Sequence, residues 1–117
     1  MTNLVANYLA TWNADDADAR ERLLTEHWTE HASYTDPLAA ATGRAAIGAT
    51  VAAVREQFPD FVFTPVGDAD THHRQTRFHW GLGPAGVEPV VIGFDVIVTD
   101  ESGRIDTVLG FLDKVPA

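Results

Sequence analysis

Asp36, Asp95 and Tyr8 are the residues of this chain best placed to do acid–base chemistry. Asp36 precedes Pro37, and proline disfavours the α region for the residue before it. The aspartate is therefore extended, with its carboxylate at a strand end where the chain opens. Taken alone, an Asp-Pro pair is more often a surface turn. Asp95 interrupts the apolar run Val90 to Val98, where burial raises a carboxyl pKa unless something pairs with it. The structural alternative is a buried carboxyl bonded to a Ser, Thr or backbone donor. Tyr8 falls on the apolar stripe of the first helix, where a core tyrosine turns its hydroxyl to a partner or to water. Trp12, Trp28 and Trp80 are expected in the core, and any of them could floor a pocket.

Two further patterns suggest chemistry and lose it on context. His27-Trp28-Thr29-Glu30-His31 matches H-x-x-E-H, in which two histidines one helical turn apart hold zinc. Here the pattern straddles a helix end just before a strand, Trp28 belongs to a buried stripe, and no third ligand is apparent. Histidines near the last helical carbonyls explain it better, so no metal is expected. His72-His73 are expected in a polar loop. Gly81 to Gly86 satisfies G-x-G-x-x-G, but it joins two strands rather than a strand and a helix, so it is expected to be a hairpin turn.

The elements that must position these residues are legible from periodicity. Leu4, Val5, Tyr8, Leu9 and Trp12 recur at helical spacing, with Thr2 or Asn3 as N-cap. Asn13 to Asp16 break that helix and cap a second, whose acidic first turn (Asp15, Asp16, Asp18) suits the helix dipole. Its stripe is Ala19, Leu23, Leu24 and Trp28. A short strand, Ala32 to Asp36, follows. Gly43 then leads into a helix with Ile47, Val51, Val54 and Phe58 on one face, ended by Pro59. The rest reads as strands. Phe61 to Val66 comes first, then a turn at Gly67 to Asp70, and residues 73 to 82 with Phe78, Trp80 and Leu82 on one face and Arg77 and His79 on the other. Val90 to Val98 and Arg104 to Leu112 follow, separated by a turn at Asp100 to Gly103. Three helices and an antiparallel meander make an α+β fold with helices on one sheet face. The run from Val90 to Val98 is apolar on both faces, so its other face is expected to be covered by a second subunit.

Composition narrows the function classes. The chain has 117 residues, suiting one domain over residues 1–117, and 45% are hydrophobic, enough for a core. A formal net charge of −9 with only 8 Lys and Arg argues against nucleic acid. No basic amphipathic helix points to a membrane. Without cysteine there is neither a disulfide framework nor a thiolate nucleophile. MTNLVANYLATW lacks a positive n-region and a long apolar run, so no signal peptide and a cytoplasmic location are expected.

The segments Tyr8 to Asp16, Tyr34-Thr35-Asp36-Pro37, Gly43 to Ile47, Gly93-Phe94-Asp95 and Asp100 to Ile105 together resemble the nuclear-transport-factor-2-like superfamily. It includes SnoaL-like proteins and ketosteroid isomerase. The resemblance covers nearly the whole chain and implies a cone-shaped, cystatin-like roll of three N-terminal helices on a curved antiparallel sheet. Laid on this chain, the isomerase pattern puts its general base at Asp36, its oxyanion-hole tyrosine at Tyr8 and its neutral oxyanion-hole aspartate at Asp95. Asp36 would take a proton beside a carbonyl while Tyr8 and Asp95 donate to the enolate, with no cofactor and no metal. Trp12, Trp28, Trp80 and His79 would contact a small apolar substrate. If the Arg77/His79 face lined the pocket, the ligand would be acidic or the chemistry different. A polyketide-cyclase-like reading pairs His79 with Asp36 or Asp95. An epoxide-hydrolase-like reading fails at Gly93, where that pattern has arginine. A non-catalytic ligand-binding or dimeric assembly module of the same fold is the alternative from another class.

Overall fold

The computed structural model describes residues 3–116; Met1, Ala117 and Thr2, one of the two expected N-caps, lie outside them. In chain order the elements are α1 (Leu4–Asn13), α2 (Ala17–His27), β1 (Trp28–Thr35), β2 (Ala40–Thr42), α3 (Arg44–Gln57), β3 (Phe61–His72), β4 (Gln75–Pro84), β5 (Val91–Thr99) and β6 (Ile105–Lys114). The six strands form one curved, unclosed sheet in the order β2-β1-β6-β5-β4-β3, and the helices cover its concave face.

Helix limits follow the local chemistry. Asp16 caps α2 by accepting from the Ala19 amide at 3.2 Å, satisfying a donor that has no intrahelical partner. Asp15 leaves the first turn to pair with Arg55 of α3 at 2.9 Å, so Asp18 alone supplies the acidic turn. Gly43, at φ 89°, turns the chain into α3, and Phe58 before Pro59 closes it. Tyr8, Leu9 and Trp12 of α1 and Ile47 and Val51 of α3 are buried against Phe63, Phe78, Trp80 and Ile97 of the sheet. Asn13 then pins α1 to β3, donating to the Phe63 carbonyl at 2.9 Å and accepting from its amide at 2.7 Å.

Four expectations on the elements are corrected. First, β1 starts at Trp28, not Ala32, so Trp28 is the first strand residue rather than part of the α2 stripe. Arg44 fixes that junction, donating to the Trp28 carbonyl from Nε and Nη2. Second, β2 is an additional short strand that pairs with β1. Third, the sheet is not wholly antiparallel, because β1 runs parallel to β6. That pairing joins segments far apart in sequence, Trp28 with Ile105 and Thr35 with Leu109, which local periodicity cannot report. Fourth, Gly67 to Asp70 is not a turn. β3 continues through it with a register shift between Val66 and Asp70, the signature of a bulge, with Gly67 at φ 72°. The hairpin turns at His73-Arg74, with His73 at φ 55°.

Alternation along β5 separates two faces. Val91, Gly93, Asp95 and Ile97 face the helices; Ile92, Phe94, Val96 and Val98 face outward and are half-buried.

Candidate functional site

Cross-strand register assembles the polar residues. Phe78 of β4 faces Asp95 of β5, and Asp95 faces Gly110 of β6. A Cβ on Gly110 would lie 2.8 Å from Asp95 Oδ1 and 3.3 Å from Asp36 Cβ, so the two aspartates flank this glycine on one face of the sheet. Tyr8 descends from α1 above them and donates to Asp95 Oδ2 at 2.6 Å. The fold therefore brings Asp36, Tyr8 and Asp95 together from three distant segments.

A cavity of about 190 Å³ opens beside this group, with Leu38, Val115 and Pro116 at its mouth and Tyr8, Trp12, Tyr34, Phe63 and Trp80 in its wall. Asp36 is the one charged side chain among its described lining residues. Its Oδ1 accepts from the Leu38 and Ala39 amides, each at 2.8 Å, and its Oδ2 accepts from the Tyr34 hydroxyl at 2.5 Å. A carboxylate has about four lone-pair sites, so one on Oδ2 is left for a proton from the cavity. The Asp-Pro turn thus locks the carboxylate in place while leaving it a free acceptor position.

Asp95 differs from expectation in one respect. It is only 1% exposed and lies beneath the cavity floor, not in its lining. It reaches the cavity through Tyr8. Burial raises its carboxyl, the Tyr8 hydroxyl and the nearby Trp80 N–H draw it down, and the Asp36 charge raises it, leaving it at about 6. When ionised it accepts the Tyr8 proton rather than donating one of its own. Burial, then the Asp95 charge, holds the Tyr8 hydroxyl well above its ordinary pKa. Asp95 Oδ1 and the Trp80 and Trp12 indole nitrogens are buried without hydrogen-bond partners among the described residues, although Trp80 lies near Asp95 and Trp12 near Tyr8.

The other expected contact residues divide cleanly. Trp12 and Trp80 line the cavity. Trp28 does not: it is fully buried behind Tyr8, with ring centroids 5.6 Å apart, and donates its indole N–H to Thr11 Oγ1 at 3.2 Å. It is a core residue. His79 is on the opposite, outer face, because side chains alternate along β4 and Trp80 takes the inward position. There His79 packs on Phe94 and pairs with Asp113 at 3.3 Å. The cyclase-like set built on His79 is thereby undone, as is an acidic ligand held by the Arg77/His79 face. Arg77 pairs with Asp70 on that same outer surface.

His27 ends α2, whereas Glu30 and His31 are exposed on β1, so the two histidines share no helix face. Among the described residues no three His, Asp or Glu side chains converge as a metal site. Tyr34 and Gly110 are positions of the candidate site that sequence reasoning missed. Period-two alternation already puts Tyr34 on the face of Asp36, and that signal was available. Nothing local marks Gly110.

The family's sequence description, "SnoaL-like domain", matches residues 5–108. This chain belongs to the SnoaL-like family. A candidate isomerase of that family from Agrobacterium tumefaciens is 39% identical, with a TM-score of 0.89 over 94% of each chain. A candidate polyketide cyclase from Sinorhizobium meliloti is 18% identical, with a TM-score of 0.72 over 97% of this chain and 95% of its own. A Catenulispora acidiphila protein with a ketosteroid isomerase-like fold, solved with trimethylamine, is 16% identical, with a TM-score of 0.74 over 98% of this chain and 87% of its own. The last two show the SnoaL-like fold and no more. No functionally curated protein matches the chain.

Proposed function

We propose that this SnoaL-like protein is a cofactor-independent acid–base enzyme that moves a proton on a small, largely apolar carbonyl compound. The observation carrying this reading is Asp36. It is an aspartate fixed at a cavity wall by three donors, beside the Tyr8–Asp95 pair and otherwise among apolar groups. Asp36 Oδ2 takes the proton from the carbon next to the carbonyl and returns it to the far end of the resulting enolate. Tyr8 donates to the enolate oxygen once Asp95 is protonated and no longer holds the tyrosine proton. Leu9, Phe63, Leu82 and Leu112 exclude water from the reacting carbons.

The assay follows the absorbance of the conjugated product from a β,γ-unsaturated ketone. Wild type is expected to turn over, Asp36→Asn to be inactive while folded, and Tyr8→Phe to lose about 10²-fold in kcat, the order for one oxyanion donor. An inert wild type across a panel of enolisable ketones would leave a ligand-binding module. Full activity in Asp36→Asn would remove the base.

We also propose that the protein works as a homodimer through the outer face of its sheet. Phe94 beside Phe111 and Val96 beside Leu109 form apolar cross-strand pairs there, with Phe111 57% and Leu109 45% exposed.

A further inference from the structure

The charge inside the cavity poses a problem that its shape does not. Asp36 lines it, Asp95 lies just beneath it, and no Lys, Arg or His appears among its described lining residues. When Asp36 takes a proton its charge passes to the enolate, so one negative charge stays in the cavity throughout. The wall offers no compensating cation, and it is rich in rings. Trp12 stands 5.2 Å from Tyr34 and 5.6 Å from Phe63, with Trp80 5.2 Å beyond Phe63. Their planes are tilted to one another by 51°, 53° and 63°. Aromatic rings and a fixed carboxylate around an apolar space form a site for a cation that carries apolar groups.

We propose that the cavity selects a small organic cation, a substituted ammonium ion, over a neutral or anionic molecule of the same shape. This rests on reading the cavity as a small-molecule site, but not on Asp36 acting as a base. The ammonium sits against the free side of Asp36 Oδ2 with its alkyl groups on the rings of Trp12, Phe63 and Trp80.

The test compares three water-soluble probes of one shape: choline, its neutral carbon analogue 3,3-dimethylbutan-1-ol, and the anion 3,3-dimethylbutanoate. Binding is read from the Trp12 and Trp80 indole N–H resonances, which restricts the readout to the cavity and ignores cations attracted to the acidic surface. Choline is expected to bind on the order of tenfold more tightly than the alcohol, and the anion most weakly. In Asp36→Asn, choline and the alcohol are expected to draw level. An alcohol that binds as well as choline to the wild type overturns the proposal, without recourse to any variant. So do a choline preference that survives in Asp36→Asn, and an absence of binding by all three probes. Ketone turnover is scored separately, so an enzyme that enolises ketones yet prefers the alcohol refutes only the cation.

Discussion

Asp95 carries the most consequence at the scale of single residues, because its protonation decides what Tyr8 can do. Ionised, it takes the Tyr8 proton; neutral, it can donate to the tyrosine oxygen and release that proton toward a ligand. Its pKa of about 6 puts this exchange within an ordinary assay range. The advantage of wild type over Tyr8→Phe in kcat/KM should therefore grow as pH falls through about 6. Asp95→Asn should flatten that trend, since an amide donates at every pH. A ratio that stays constant across the range would disconnect Asp95 from catalysis. Stability gives an independent check. A carboxyl whose folded pKa rises from 3.8 to about 6 favours the folded state fully below 3.8, and that support is lost as pH climbs through about 6. The ionised form costs about 3 kcal/mol. Asp95→Asn should thus raise Tm relative to wild type above pH 6 and give no such gain near pH 3.8. The grouping of Tyr8, Asp36 and Asp95 was legible in the sequence through an Asp-Pro signal, a polar break in an apolar strand and a family resemblance. Whether Asp95 reached the cavity or lay beneath it was not, because that depends on which ring stacks above it.

Elements decide that stacking, and Gly93 is where β4 and β5 settle it. The Trp80 indole crosses directly over Gly93, so a Cβ there would fall 2.1 Å from the ring. This also explains why an arginine at 93 has no place in this chain: Trp80 occupies the space. Gly93→Ala should drive the indole off the strand, costing about 1–3 kcal/mol by overpacking and abolishing ligand binding. Denaturant unfolding together with probe titration would show both losses. An alanine variant with unchanged stability would mean that the ring yields more easily than its packing implies. The helices were read from their apolar stripes with small boundary errors, and β4 and β5 from alternation, since both signals are local. The parallel β1–β6 pairing was invisible because its partners are far apart in sequence and no local pattern links them. The β3 bulge was mistaken for a turn because Gly67 and Asp68 carry turn chemistry, while the pairing that continues the strand lies in β4.

For the whole molecule the outer sheet face matters most, since no described helix covers it. Its rows run His79–Phe94–Phe111 and Arg77–Val96–Leu109 across β4, β5 and β6. Apolar side chains fill the rows on β5 and β6, with the Arg77–Asp70 pair toward β3 and the His79–Asp113 pair spanning β5 beside Phe94. Apolar groups interleaved with ion pairs suit a protein interface, and two copies of this face can bury each other's Phe94 and Phe111. Each chain also carries a formal charge of −9, so association must overcome mutual repulsion that salt screens. The dimer should therefore tighten as ionic strength rises, the opposite of an interface held by charge pairs. Sedimentation across a salt series would read this directly. Phe94→Asp should give a monomer that keeps the Tyr8–Asp95 pair, because residue 94 points away from the cavity. A wild-type monomer at micromolar concentration in high salt would show that the face stands uncovered in solution.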